Sequence, residues 1–209
     1  MIKSRTVTRY ALAAAAPIAF LLALTSARAA FAFTIHYRMD PTTSVITAAV
    51  SEPIATMGGD AEGTFKIIDG EIFLDPDHPA SGKVELLIDA TSYHSDKQRR
   101  DHDVTMNTLE TDTYPTIRFN STSLAEVSQT SATDGSATVN GDLTLHGRTL
   151  PVSVPVNVEI TTDHSKAVAE GQVQLKYPDW GVKVPTMMFL HAGDEATLSF
   201  HIAATRVAD

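Results

Sequence analysis

The run Leu150-Pro151-Val152-Ser153-Val154-Pro155-Val156-Asn157-Val158-Glu159-Ile160 puts an apolar residue at every even position and proline or a polar residue at every odd one. Successive side chains of a strand point to opposite faces, so this run is a strand with one apolar side and one solvent-facing side. Pro151 and Pro155 share the solvent-facing side. Proline has no amide hydrogen to give a central ladder, so the strand is expected at a bulge or an imperfect seam of its sheet.

The same period of two recurs on both sides of this run, in Ile35/Tyr37/Met39, Val84/Leu86/Ile88, Ile117/Phe119, Leu143/Leu145, Val173/Leu175/Tyr177 and Leu198/Phe200/Ile202. Turn signals punctuate the runs at Asp40-Pro41, Asp69-Gly70, Asp75-Pro76-Asp77, Asp134-Gly135, His146-Gly147 and Asp163-His164. Asn140-Gly141 reads either as a tight hairpin turn or as a bulge inside one strand from Ala137 to Leu145. The pattern is an all-β antiparallel meander of nine or ten strands with one apolar face. Such a sheet hides that face by closing, which also removes its edges, so a β-barrel is expected ahead of a sandwich. One segment breaks the pattern, the polar stretch from Ser95 to about Met106. It reads as a short helical insertion capped by Asp96.

The amino terminus has a different character. Lys3, Arg5 and Arg9 precede an apolar run from Ala11 to Leu24, and small residues follow, ending Ala27-Arg28-Ala29. This is the layout of a secretory signal peptide over residues 1–29, cleaved near Ala29, with a single domain over residues 30–209. The apolar run falls short of the roughly 20 residues that span a bilayer, so a membrane-spanning anchor is not expected. Losing Lys3, Arg5, Arg9 and Arg28 takes the formal charge from −9 to −13. A surface so acidic repels phosphate backbones and anionic headgroups, which excludes nucleic acid as the natural partner. The absence of cysteine removes disulfide staples, thiol catalysis and thiolate metal sites.

Two stretches invite a chemical reading. His94, Asp96, Asp101, His102 and Asp103 cluster in the insertion, and two histidines with carboxylates can hold zinc. Their spacing matches no ligand motif, and a solvated, ion-paired face is the expected role; a metal-dependent enzyme using His94 and His102 is the lesser alternative. No serine elbow, phosphate loop or zinc-protease signature is present, so neither catalysis nor a required cofactor or metal is expected. Met187-Met188-Phe189-Leu190 is the most apolar irregular stretch, and its flexible thioethers suit a lid at a barrel mouth.

Two longer runs carry a likeness to a known family. Gly141-Asp142-Leu143-Thr144-Leu145-His146-Gly147-Arg148-Thr149-Leu150-Pro151-Val152, and Arg99 through His102 to Tyr114-Pro115-Thr116-Ile117-Arg118-Phe119, resemble the YceI-like family of bacterial periplasmic, polyisoprenoid-binding proteins. Gly63-Thr64-Phe65 with Asp69-Gly70-Glu71-Ile72 resembles the early hairpin of that family, and Asp179-Trp180-Gly181 resembles a late element of it. The likeness runs from about Phe33 to Ala203. It departs at Asp103 and Thr108-Leu109, where the family usually carries apolar and aromatic residues.

The resemblance implies a lipocalin-like barrel in the periplasm that binds a long apolar isoprenoid lipid, a polyprenyl chain or a quinone tail, without catalysis. An eight-stranded interior is either filled by side chains or hollow enough for one ligand. On the hollow reading, the wall candidates are Phe65, Ile67, Phe73, Leu86, Ile88, Phe119, Leu143, Leu175, Tyr177, Trp180 and Phe200, with Met187, Met188 and Phe189 as the lid. The filled alternative is a stress-response or partner-binding scaffold acting through its surface, for instance on a membrane cytochrome. The imperfect seam at the proline-bearing strand permits a homodimer without requiring one.

Overall fold

The computed structural model describes residues 35–51, 61–75, 78–187 and 190–208. The signal-peptide segment lies outside these residues. Eleven strands are formed among them: β1 (Ile35–Met39), β2 (Val45–Val50), β3 (Ala61–Leu74), β4 (Lys83–Ser95), β5 (Thr116–Gln129), β6 (Asp134–Leu145), β7 (Arg148–Ile160), β8 (Lys166–Leu175), β9 (Thr186–Met187), β10 (Leu190–His191) and β11 (Ala196–Arg206). Strands β9 and β10 make a small separate hairpin; the other nine form one antiparallel sheet.

That sheet closes on itself. Strands β3 to β8 follow one another as a meander, and β8 pairs with β11 over its full length, from Leu175↔Ala196 to Lys166↔Thr205. Between β11 and β3 the wall is completed by β1 and β2 together. β1 pairs with Glu71–Leu74 and Ala204–Arg206, and β2 with Ala61–Phe65 and Ala196–His201. They are two halves of a single barrel strand broken at Asp40–Ser44, where Asp40 Oδ1 accepts hydrogen bonds from the Thr42 amide (2.8 Å) and hydroxyl (2.6 Å). The wall therefore has eight positions although nine strands build it.

Close packing inside the wall depends on glycine facing large side chains. A Cβ added at Gly63 would lie 2.3–2.5 Å from the ring and hydroxyl of Tyr93, and one at Gly141 would lie 2.6 Å from the Phe119 ring. In both places an inward ring lies over bare backbone, an arrangement open only to a residue without a side chain.

Several sequence expectations are corrected. Asp69-Gly70 is not a turn: both lie inside β3, where a bulge leaves Ile68 out of register and 48% exposed. Of the two readings of Asn140-Gly141 the one inside a single strand holds, since it is internal to β6, but the bulge falls on the partner strand at Thr122, between the pairs Ser121↔Gly141 and Ser123↔Asn140. Tyr177 does not extend β8. Pro178 follows it, and Tyr177–Trp180 forms a 3-10 turn ended by Gly181 in the left-handed region (φ +82°). The insertion is helical, as α1 (Gln98–His102) continued by a π-helical turn over Asp103–Thr108, but Asp96 does not cap it. The Asp96 carboxylate instead accepts from Arg100 Nη1 at 2.5 Å. No helix among the described residues is long and apolar enough to cross a membrane.

Replacing Gly63 with alanine is expected to cost about 1–3 kcal/mol of stability through overpacking against Tyr93. In urea unfolding, the Gly63→Ala/Tyr93→Ala double variant should lose less than the sum of the single losses, because the clash is absent once the ring is gone.

Candidate functional site

The register decides which side chains face inward. Tyr37, Ile72 and Ala204 share one face at one end of the barrel; Phe119, Leu143 and Leu150 share it at mid-wall; Ile46, Phe65 and Phe200 share it farther round. These inward residues fall into two groups by burial. Those of β1, β3 and the neighbouring part of β4 are mostly buried, with Tyr37 fully enclosed. Strand β7 supplies no buried residue at all, although Leu150, Val152, Val154, Val156 and Val158 all point inward. Across from it Ala169, Val173, Leu198 and Phe200 are also only half-buried. Most of these side chains pack against the buried core yet all are only half-buried, so this side of the interior is less tightly enclosed than the side of β1 and β3. The inward residues of β8 there are small, Ala167, Ala169 and Gly171, and the Phe200 ring lies over Gly171.

Each end of the barrel holds buried aromatic side chains. At one, Tyr37 is fully buried, and burial pushes its phenol above the ordinary value. At the other, Trp180 is buried and donates from Nε1 to the Leu143 carbonyl at 2.9 Å, and Tyr177 donates its hydroxyl to the Gly193 carbonyl at 2.5 Å. Leu109 is buried beside them in the same core.

The side wall has a gap. Strand β7 pairs with β6 along its whole length, from Arg148 to Glu159, but with β8 only from Val156↔Gly171 to Ile160↔Ala167. Below that point the strands part. Pro151, Val152 and Ser153 on one side and Val173, Gln174, Leu175 and Lys176 on the other border an open surface depression of about 230 Å³, with Asp179 and Trp180 at its foot. The seam expected from the prolines is thus the boundary between β7 and β8.

The end of the barrel near Trp180 carries a dense polar cluster built on Glu110 and His146. Glu110 and His146, both in the left-handed region at φ +50°, meet at 3.1 Å between Oε2 and Nε2. Lys183 Nζ donates to the other Glu110 oxygen, and the Tyr114 ring lies against the imidazole with centroids 4.3 Å apart. The hydrogen bonds from Lys183 first and His146 second hold the Glu110 carboxyl below its ordinary value. Sequence reading passed over this cluster, taking His146 as a turn histidine; its partners come from two other segments and carry no motif.

The predicted wall residues are spread over three environments. Phe65, Ile67, Ile88, Phe119, Leu143, Leu175, Tyr177 and Trp180 are buried core; Leu86 and Phe200 are half-buried on the inward face. Phe73 does not line the interior: it pairs with His36 on the opposite parity to Tyr37 and Ile72 and stacks on the His36 ring outside, centroids 4.5 Å apart. Met187 lies in β9, while Met188 and Phe189 fall outside the described residues. His94 and His102 are not brought together as ligands. His94 Nδ1 shares a hydrogen bond with Asp101 at 2.9 Å, and among the described residues no three His, Cys, Asp or Glu side chains converge on a metal-sized site.

An eight-position, up-and-down closed sheet around an apolar interior defines a lipocalin-like β-barrel. A YceI-like domain matches residues 37–204, and the chain belongs to that family. Protein YceI of Shigella flexneri is 33% identical over 127 residues, 58% of this chain and 63% of that protein. A UPF0312 protein of Vibrio cholerae is 30% identical over 130 residues, 59% and 65% of the respective chains. The chain thus spans under two thirds of the length of these curated relatives. Among solved structures, Burkholderia cenocepacia BcnA superposes with a TM-score of 0.67 at 24% identity, over 80% of this chain and 99% of that one. A polyisoprenoid binding domain from Saccharophagus degradans, implicated in plant cell wall breakdown, superposes at 0.59 with 14% identity, over 82% and 98%. At these identities the likeness to both structures is one of fold.

Because the Glu110 carboxyl is held low in the folded chain, its ion pairs stabilise the fold above the ordinary value of 4.5. That stabilisation is lost as pH falls through the lower folded value. Melting temperatures recorded from neutral to acid pH should show a shallower acid decline in Glu110→Gln than in the unaltered protein.

Proposed function

We propose that this protein is a non-catalytic carrier whose barrel holds one long apolar chain of isoprenoid type, a polyprenol or the tail of a quinone. The observation that carries the proposal is the inward face of β7: five apolar side chains, none buried, inside a closed wall. A filled scaffold would bury that face. The half-buried inward positions named above are apolar, which suits a hydrocarbon chain and offers no fixed charge for an ionic head. The neighbouring fold named as a polyisoprenoid binding domain supports the same ligand class. At about 0.8 kcal/mol per buried CH₂, each five-carbon unit contributes roughly 3–4 kcal/mol before ordering costs are deducted. Three or four units therefore suffice for tight retention without a headgroup contact. The signal-like layout of the amino-terminal segment supports a periplasmic location for this carrier, between membranes that contain such lipids.

Organic extraction of the purified protein followed by mass spectrometry should yield an isoprenoid lipid at close to one chain per barrel. Ala169→Phe fills the lumen from β8 without burying a charge. It should keep the melting temperature near that of the parent and reduce the co-extracted lipid about tenfold or more. Full folding with undiminished lipid in Ala169→Phe, or no lipid from either protein, would contradict the reading.

A further inference from the structure

We propose that the opening between β7 and β8 is the route by which the apolar ligand enters and leaves, and that Pro151 and Pro155 keep it open; this rests on the carrier reading above. In an antiparallel strand the N–H and C=O of one residue point to the same neighbour. The Pro155 carbonyl aims at β8, since a Cβ on Gly171 would sit 2.3 Å from that oxygen. Residues 151, 153 and 155 therefore present their backbone groups to β8. Two of the three are proline and lack the donor a ladder needs, and the pairing with β8 stops at Val156↔Gly171, just where they begin.

From Pro151 to Pro155, at about 3.3 Å per residue, the unpaired edge is roughly 13 Å long, enough to pass an extended prenyl chain sideways. Its inner lips are Val152, Val173 and Leu175, which are apolar, and its outer lips are Ser153, Gln174 and Lys176, which are polar. Each end of the barrel carries buried aromatic side chains, Tyr37 at one and Tyr177 with Trp180 at the other. On this proposal a chain entering by the lateral slot between the strands passes Trp180, which lines the opening, and need not displace Tyr37 or Tyr177. Had the ladder continued, Ser153 would face Gln174, and the slot would be closed.

Trp180 stands at the foot of the opening and is the only tryptophan in the chain, so it reports on passage. Stopped-flow tryptophan fluorescence with geranylgeraniol gives uptake and release rates, and equilibrium titration gives the affinity. In Pro151→Thr/Pro155→Thr, which restores both missing donors, uptake and release should each slow about tenfold or more while the affinity stays within about threefold. A second variant, Ser153→Cys/Gln174→Cys, spanned by a bifunctional maleimide with a reducible linker, should take up ligand slowly when bridged and at the parent rate after reduction. The cysteine-free background makes this bridge unambiguous. Parent rates in both the threonine variant and the bridged protein, with binding intact, would overturn the lateral route and leave the carrier reading standing. Absence of binding in the unaltered protein would overturn both.

Discussion

The ladder between β8 and β11 joins strands at opposite ends of the meander, β11 being the last strand to form and β8 the last of the continuous run, while β11 also holds β1 and β2. Without it the sheet would be an open ribbon with two free edges and its apolar face exposed to water. With it, every inward side chain acquires an opposite wall. The closing strand must pair on both sides along its length, and β11 does so with alternating inward residues Leu198, Phe200, Ile202 and Ala204. The closure holds because the inward positions mix large and small: Tyr93 over Gly63, Phe119 over Gly141, and Phe200 beside Gly171. Eight wall positions enclose little space, and these pairings decide which part of it is filled.

The filled and unfilled parts divide along the chain. Strands β1 and β3 and their neighbours meet aromatic and branched side chains across the lumen and are buried. Strands β7 and β8 face each other with valine, alanine and glycine, and where the prolines remove backbone donors the wall itself parts. A single sequence choice, proline at the outward positions of β7, thus weakens the ladder while leaving the inward valines in phase. The structure gives up some sheet cohesion beside a strand whose inward side chains are only half-buried, which is the combination the proposed carrier needs and a scaffold does not.

Much of this was legible in the sequence. The alternation in β7, β4, β6 and β11 located strands and their inward faces, and the two prolines marked the seam, because a period of two and a missing donor are local properties. What escaped was set by partners distant in sequence. The turn expected at Asp69-Gly70 is a bulge within β3, since pairing with β4 carries the strand straight through it. Phe73 looked like a wall residue on hydrophobicity alone, but the bulge fixes its parity outward. Glu110, His146 and Lys183 come from three separate segments and meet only once the barrel end is assembled. Hydrophobicity also could not rank the expected wall residues by burial: most of the large ones lie in the core, while Leu86 and Phe200 are half-buried like Ala169, Val154 and Val173.

The central claim is that a hollow apolar lumen lies against β7. A crystal structure of the protein purified without organic solvent tests it most directly. The account predicts continuous chain-like electron density running between Val154, Val173, Leu198 and Phe200, not attributable to any side chain. An interior in which those four side chains pack against one another and exclude both ligand and water would contradict it.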